Sequence, residues 1–206
     1  MLTVPADFDP KERGERAERI FNDGFNCCQA VVLAFSDLIG QSYGLDESVL
    51  ASLCSGFGGG FGRLREVCGA VSGMTVMAGF IQPAADPSVK SDRTANYALV
   101  QEFAAAYRKQ NGSIVCRELL GLQKPQTVSA AIASAGFSAS PESPASSSSA
   151  SSVLPESPVP SSAGFSALPE SPVPSDRTPE YYRKRPCGKL VNMAAVIVAT
   201  KLASAE

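Results

Sequence analysis

Residues 67–81 read VCGAVSGMTVMAGFI, an almost wholly apolar stretch that opens with a cysteine at its second position. Gly69, Ala70 and Gly73 follow Cys68, and their spacing brings small residues together on a helix surface. Such a surface lets a second backbone approach closely, and it leaves room beside the Cys68 sulfur for another thiol, a cluster or a substrate. The stretch predicts a helix over residues 66–81. It is too short to span a membrane, which takes about 20 apolar residues.

Helix signals recur along most of the remaining chain. Asp9 and Pro10 start a first helix that runs to about residue 24, and Asn26 starts a second that runs to about residue 39. No stretch alternates as a half-buried strand does. The fold class that we predict is all-α, a compact bundle of about six to seven helices with a disordered Pro/Ser-rich insertion. The remaining helices are predicted over residues 46–54, 92–109, 113–121 and 187–203.

The insertion is predicted over residues 123–178, where the composition turns to Ser, Pro and Ala. It repeats the core Pro-Glu-Ser-Pro at Pro141, Pro155 and Pro169, and the paired prolines exclude a helix. The segment has too few large apolar residues to form a buried core, so we expect a disordered or polyproline-like loop. The domain organisation predicted is one helical domain, 1–122 plus 179–206, and a low-complexity insertion, 123–178. The two prolines of each Pro-Glu-Ser-Pro core are spaced as in the ligands of proline-recognising domains, so a role of the insertion as such a ligand remains open.

The chain contains six cysteines and no histidine, so the commonest general base and zinc ligand is absent. A helix N-terminus offers unpaired N–H groups and partial positive charge, which favour a thiolate, the reactive form of cysteine. One helix end is worth only about 0.3–1 kcal/mol, so strong activation needs a metal, a nearby cation or several helix ends that converge. Four cysteines stand at predicted helix starts: Cys27, Cys68, Cys116 and Cys187.

The other two cysteines are expected to be less important chemically. Cys28 adjoins Cys27, but successive helix residues point about 100° apart, so the two rarely serve the same site. Cys54 falls late in its helix among apolar residues, where a free cysteine behaves as a small hydrophobe.

Two other motifs lie close to these cysteines in the sequence. Residues 56–62 read GFGGGFG, which lacks the ending of a phosphate loop and predicts a tight turn that packs two helices closely. The run Arg183-Lys184-Arg185 stands just before Cys187. Such a run is either a solvated face, or a set of cations that lowers the pKa of the thiol beside it or attracts an anionic partner.

The composition is that of a globular protein, with 44% hydrophobic residues, 18% charged residues and a formal net charge of −2. Because there is no basic excess, a nucleic-acid partner is not expected. The N-terminal residues lack the apolar core of a signal peptide, so we expect a cytoplasmic protein with no membrane span. The glycine-rich helix faces are compatible with a homodimer.

Several of these features occur in a fixed order: Asn26-Cys27, then Phe57-Gly58-Gly59-Gly60, then Cys68-Gly69-Ala70-Val71-Ser72-Gly73, then Gly112-Ser113-Ile114-Val115-Cys116, then Cys187. This order resembles the C-GCAxxG-C-C family of small bacterial proteins, described as redox-active. The resemblance covers nearly all of the chain outside the insertion. The insertion itself, which separates Cys116 from Cys187, departs from the pattern of the family. It implies a redox role for four characteristic cysteines, which correspond to Cys27, Cys68, Cys116 and Cys187.

Three kinds of function remain open from the sequence. The first is a thiol-based redox protein, a thiol oxidoreductase if it is an enzyme, which cycles between dithiol and disulfide with an unidentified redox partner. Cys68 is then the preferred attacking thiol, because its small neighbours Gly69, Ala70 and Gly73 leave room for a bound group. The second binds zinc or an iron–sulfur cluster, with Cys27, Cys68, Cys116 and Cys187 as ligands, for electron transfer or sensing. The third is a structural or adaptor protein with inert, buried cysteines.

Overall fold

The computed structural model describes residues 2–122 and 171–204, which all belong to one compact unit. Within these ranges the chain forms α-helices and one short 3-10 turn, Ser55–Phe57, and no strand, which confirms the all-α prediction. The helices are α1 (Pro10–Asn22), α2 (Cys27–Leu33), α3 (Ser36–Tyr43), α4 (Glu47–Cys54), α5 (Gly69–Ile81), α6 (Lys90–Asn111), α7 (Cys116–Leu119), α8 (Pro179–Lys184) and α9 (Cys187–Ala203). Residues 123–170 of the predicted insertion lie outside the described residues.

The centre of the bundle consists of α2, α5 and α9, which all contact one another. Each of the three is apolar around most of its circumference, as expected of helices surrounded by others. The amphipathic α1 packs along α9, and α6 packs against α5 and α9. The stretch that includes Gly69 and Gly73 is therefore interior, as the sequence indicates. None of the helices in the described ranges has both the length and the apolarity of a membrane span.

The predicted helix over residues 26–39 is broken in the structure. Helix α2 ends at Leu33, and α3 begins at Ser36 after Phe35, whose φ of −118° and ψ of 15° are not helical. At the break, the Arg13 guanidinium donates a hydrogen bond to the Ala34 carbonyl at 2.9 Å. The apolar periodicity of the sequence continues through the break. The local pattern does not reveal the break, because this hydrogen bond comes from Arg13 in α1.

Helix α8 was not predicted as a separate element, although the sequence carries its start signal. The Thr178 hydroxyl accepts a hydrogen bond from the Tyr181 N–H at 3.2 Å, and Pro179 occupies the first helical position. The serine- and proline-rich composition of the preceding residues obscured this signal. The segment 171–178, named here the strap, precedes α8 and belongs to the same compact unit as the helices.

Gly73 is the position at which α5 approaches α2 most tightly. A Cβ atom there would lie 2.7 Å from the Val31 Cβ and 3.1 Å from the Cys28 carbonyl oxygen. We expect Gly73→Ala to lower the free energy of unfolding by about 1–3 kcal/mol, because neither neighbour is the end of a flexible side chain. Urea unfolding followed by circular dichroism measures the change.

The matched control for that substitution lies on the same helix. A Cβ atom at the exposed Gly79 would meet nothing within 4 Å. Gly79→Ala is therefore expected to raise the free energy of unfolding by about 0.5–1 kcal/mol, the ordinary gain in helix propensity. Equal effects of the two substitutions would contradict the close contact at Gly73.

Candidate functional site

The four cysteines at helix starts line a single cavity of about 300 Å³, named here the thiol pocket. Cys27, Cys116 and Cys187 are the first residues of α2, α7 and α9, and Cys68 is the N-cap of α5. The predicted positions at helix starts are thus confirmed. Their convergence on one cavity is a property of the tertiary structure, because they are separated by 41, 48 and 71 residues along the chain.

Cys27 is held in place by the capping residue in front of it. The Asn26 side chain accepts hydrogen bonds from the N–H groups of Cys28 and Gln29, at 2.9 and 3.0 Å. Its amide nitrogen donates to the carbonyl oxygens of Cys54 and Ser55, at 3.3 and 3.0 Å. One side chain therefore fixes both the first turn of α2 and its position against the end of α4.

Cys68 and Cys116 are brought together by a short antiparallel bridge between Val67 and Val115. The Cys68 N–H donates to the Ile114 carbonyl at 2.8 Å, and the Cys116 N–H donates to the Glu66 carbonyl at 2.6 Å. These two hydrogen bonds link residues that are far apart in sequence. They set the starts of α5 and α7 side by side.

The glycine-rich turn forms one wall of the thiol pocket, to which it contributes Gly58, Gly59 and Gly62. Gly59, Gly60 and Gly62 have φ values of 66°, 73° and 56°, in the left-handed region that favours glycine. A Cβ atom at Gly60 would lie 2.8 Å from the Cys116 Cβ. This geometry agrees with the predicted tight turn. The turn brings its backbone close to Cys116.

Cys27 and Cys187 line the thiol pocket together, and the interaction between their thiols separates their acidities. Hydrogen bonding to Cys27 and the nearby Arg185 guanidinium favour the Cys187 thiolate, so the pKa of Cys187 is lowered to about 7. The interaction with Cys187, together with burial, raises the pKa of Cys27 well above its ordinary value. Of the two thiols, Cys187 is therefore the one that ionises more readily.

Cys68 and Cys116, the other two thiols of the pocket, are less acidic than Cys187, because burial raises the pKa of both. Burial raises the pKa of Cys68 to about 11, and its sulfur lies 3.7 Å from the hydroxyl of the buried Tyr107. Burial also raises the pKa of Cys116, an effect that is partly offset by Arg65, whose Nη1 lies 4.0 Å from the sulfur. Cys68, the thiol that the sequence favoured as the attacking group, is thus poorly ionised at neutral pH.

Four guanidinium groups line the thiol pocket with the four thiols: those of Arg63, Arg65, Arg177 and Arg185. The sequence drew attention to Arg185 within the run of cations before Cys187. The other two members of that run do not line the pocket, and Lys184 forms an ion pair with Glu180 at 2.6 Å. Arg63 and Arg65 follow the glycine-rich turn, which could have indicated them. Arg177 lies in the strap, which composition assigned to the insertion.

The small residues after Cys68 have different surroundings. Gly69 lines the thiol pocket, and a Cβ atom there would lie 3.1 Å from the Cys27 Cβ, so its small size lets α5 approach Cys27. Ala70 is fully buried in the core, and Gly73 packs against Val31 of α2. Of the three, Gly69 is the residue next to the thiols.

Cys28 and Cys54 form a second pair, away from the pocket lining. Both are fully buried, and the interaction between their thiols raises the pKa of Cys28 and lowers that of Cys54. Because no part of either residue is exposed, reagents in solvent reach neither thiol without local unfolding.

The metal-binding alternative was tested against the same geometry. Within residues 2–122 and 171–204, no group of three or more cysteine, aspartate or glutamate side chains has an arrangement that could hold a metal ion. All six cysteines are free thiols in the structure. The four thiols therefore share a cavity without forming a ready set of metal ligands.

One family model matches the chain, that of the family described as "Putative redox-active protein (C_GCAxxG_C_C)", over residues 25–152. The matched range contains Cys27, Cys68 and Cys116, whereas Cys187 lies beyond it. No curated protein and no solved structure gives a significant match.

Proposed function

The chain belongs to the C_GCAxxG_C_C family of redox-active proteins, and on that premise we propose that it is a thiol oxidoreductase that uses Cys187 and Cys27 as its reactive dithiol. The observation that carries this proposal is the pairing of Cys27 with Cys187 on the wall of a common cavity, an interaction that separates their pKa values. It pairs an ionised nucleophile with a protonated neighbour, which is the arrangement that thiol–disulfide exchange requires.

The reaction follows from the two protonation states. The Cys187 thiolate attacks one sulfur of a substrate disulfide, breaks the S–S bond and forms a mixed disulfide, and the other substrate sulfur leaves as a thiolate. Cys27 then loses its proton and attacks the Cys187 sulfur, which releases the second substrate thiol and forms a Cys27–Cys187 disulfide. The substrate gains two electrons and the protein dithiol loses two. An external dithiol then reduces the Cys27–Cys187 disulfide, becomes a disulfide itself and restores the two thiols.

Cys187 is favoured over Cys68 as the attacking thiol for an electrostatic reason. Cys187 is half-buried, interacts with Cys27 and lies near the cation of Arg185, whereas Cys68 is buried beside the neutral Tyr107 hydroxyl. A thiol whose pKa lies near ambient pH is the best attacking group. In this proposal Cys68 and Cys116 shape the pocket and are available as secondary partners in exchange.

The experiment that tests the proposal is disulfide mapping of the whole chain. The reduced protein is treated with one equivalent of a mild disulfide oxidant, the remaining thiols are alkylated, and peptides are identified by mass spectrometry. We expect a Cys27–Cys187 disulfide, reversible with dithiothreitol. A product that pairs other cysteines and leaves Cys27 and Cys187 free would overturn the assignment. A native mass, measured without oxygen, that includes a metal or cluster lost when the thiols are blocked would favour the metal-binding alternative.

The pH dependence of alkylation provides a second test. Since the pKa of Cys187 is lowered to about 7, its thiolate fraction is small at pH 6 and nearly complete at pH 8. The rate of iodoacetamide labelling at Cys187 is therefore expected to rise to half its maximum near pH 7, where an ordinary cysteine reaches it near about 8.5. Peptide mass spectrometry at a series of pH values measures this midpoint.

Two controls accompany the pH profile. Cys27→Ala removes the partner thiol, which is the largest cause of the lowered pKa, and is expected to move the midpoint upward. Cys28 and Cys54 are fully buried and are expected to remain unlabelled in the native protein. A midpoint at or above that of an ordinary cysteine in the unsubstituted protein would contradict the assignment of Cys187 as the nucleophile.

A further inference from the structure

The thiol pocket is rich in arginine, although the formal net charge of the protein is −2. Four arginines contribute to its lining, and none of the described residues that line it is an aspartate or a glutamate. Cationic side chains are therefore concentrated around the reactive thiols. Charges that line a partly enclosed cavity act more strongly on a bound group than the same charges on an open surface.

Two of these arginines, Arg177 and Arg185, form no ion pair with any described residue. Arg177 Nη1 donates to the carbonyl oxygens of Phe21 and Phe25 at 3.1 and 2.8 Å, and these acceptors are neutral. The Arg185 guanidinium lies 4.9 Å from the centre of the Tyr181 ring, which holds the group by a cation–π contact without neutralising it. Both side chains are half-buried at the pocket wall.

We propose that the disulfide substrate is a small anion, a low-molecular-weight disulfide whose carboxylate groups bind Arg185 and Arg177 next to Cys187. This inference rests on the proposed function and specifies its substrate class. Guanidinium groups bind carboxylates through paired, charge-assisted hydrogen bonds, and fixing the carboxylate positions the S–S bond against the thiolate. Electrons and atoms balance as in the exchange described above, with the anionic disulfide as the oxidant.

The size of the cavity limits the substrate. A volume of about 300 Å³ equals that of about ten water molecules in the liquid. A disulfide with two short carboxylate arms has about this size. The glycine-rich turn and the strap both contribute to the lining, the turn through Gly58, Gly59 and Gly62 and the strap through Pro172, Pro174 and Ser175.

The test compares three disulfides of similar size and different charge: 3,3′-dithiodipropionate, a dianion; bis(2-hydroxyethyl) disulfide, which is neutral; and cystamine, a dication. Each rate of oxidation of the reduced protein is divided by the rate of the same disulfide with 2-mercaptoethanol, which removes differences in intrinsic reactivity. We expect the normalised rate of the dianion to exceed that of the dication by at least about tenfold at low salt, and the difference to shrink as salt is added.

Substitution of the arginine identifies the source of this preference. Arg185→Gln is expected to reduce the dianion-to-dication ratio by about fivefold or more, and Arg185→Lys to restore part of it. The ratio is the informative quantity, because a change in the ionisation of Cys187 alters all three rates equally. Arg183→Gln, two residues away and outside the pocket lining, removes the same charge from an exposed site and is expected to leave the ratio nearly unchanged.

The outcomes distinguish this inference from the function on which it rests. If all three disulfides oxidise Cys27 and Cys187 without a preference for the anion, the thiol oxidoreductase stands and the anionic substrate class is wrong. An equal effect of Arg183→Gln and Arg185→Gln on the ratio would also overturn the inference, because it would trace the preference to net charge. If none of the three disulfides reacts, the proposed function itself fails.

Discussion

Cys187→Ser is expected to lower the rate at which the reduced protein reacts with a small disulfide by more than about 100-fold, because a serine hydroxyl is not ionised at neutral pH and does not attack sulfur. The pocket lining would otherwise be retained, since serine differs from cysteine by one atom. Stopped-flow measurement of the thiol released from the substrate gives the rate. Circular dichroism and the thermal transition show whether the variant keeps its fold.

The matched variant is Cys27→Ser, which separates the two steps of the exchange. Its Cys187 can still attack the substrate, but the second thiol needed to release the mixed disulfide is missing. We expect one substrate half to remain attached, seen as a mass increase that dithiothreitol removes, on the peptide that contains Cys187. Serine at position 27 retains a hydroxyl donor, so the first step is expected to slow by much less than in Cys187→Ser.

Cys68→Ser decides between the two thiols considered for attack. If Cys187 is the nucleophile, this variant is expected to retain most of the rate with small disulfides. A loss in Cys68→Ser as large as that in Cys187→Ser would restore Cys68 as the attacking group. It would also mean that the pKa of Cys68 in solution is well below the value of about 11 that its burial produces.

The second large effect is expected at Gly60, in the turn that packs on Cys116. Its φ is 73°, and an added Cβ would lie 2.8 Å from both the Cys116 Cβ and the Glu66 backbone nitrogen. Gly60→Ala combines left-handed strain with a collision against backbone, so we expect it to lower the free energy of unfolding by about 2–4 kcal/mol. Because the collision includes Cys116, the labelling rate of that thiol is expected to change as well.

Gly44→Ala is the control for the backbone strain alone. Gly44 ends α3 with a φ of 66°, and an added Cβ there would meet nothing within 4 Å. Its substitution is expected to cost only about 1–2 kcal/mol. Urea unfolding of both variants gives the difference. Equal costs would indicate that the turn moves away from Cys116 freely, contrary to the close packing seen in the structure.

Much of the secondary structure could be predicted from local signals. The Asn26 cap, the proline at the start of α1 and the apolar stretch of α5 are each encoded within a few residues, and each forms where the sequence indicates. The placement of four cysteines at helix starts was predictable for the same reason. The break between α2 and α3 was not, because it coincides with a hydrogen bond from Arg13 in a different helix.

The chemical ranking of the cysteines depended on contacts between distant residues. Cys68 had the most favourable local sequence, with small residues around it, yet burial in the folded protein raises its pKa. Cys187 has a lowered pKa chiefly because its thiol interacts with that of Cys27, 160 residues earlier in the chain. Acidity depends on burial and on the sum of nearby charges, and neither quantity can be evaluated before the fold is known.

The amino-acid sequence by itself thus determined the all-α class, the helix starts and the identity of four cysteines, because capping and periodicity act over one or two helical turns. Only the tertiary structure decided that the four thiols share one cavity, that Arg185 faces it while Lys184 pairs with Glu180, and that Arg177 of the strap lines it. These features depend on how whole helices pack, and packing places residues together that are more than 40 positions apart in the chain.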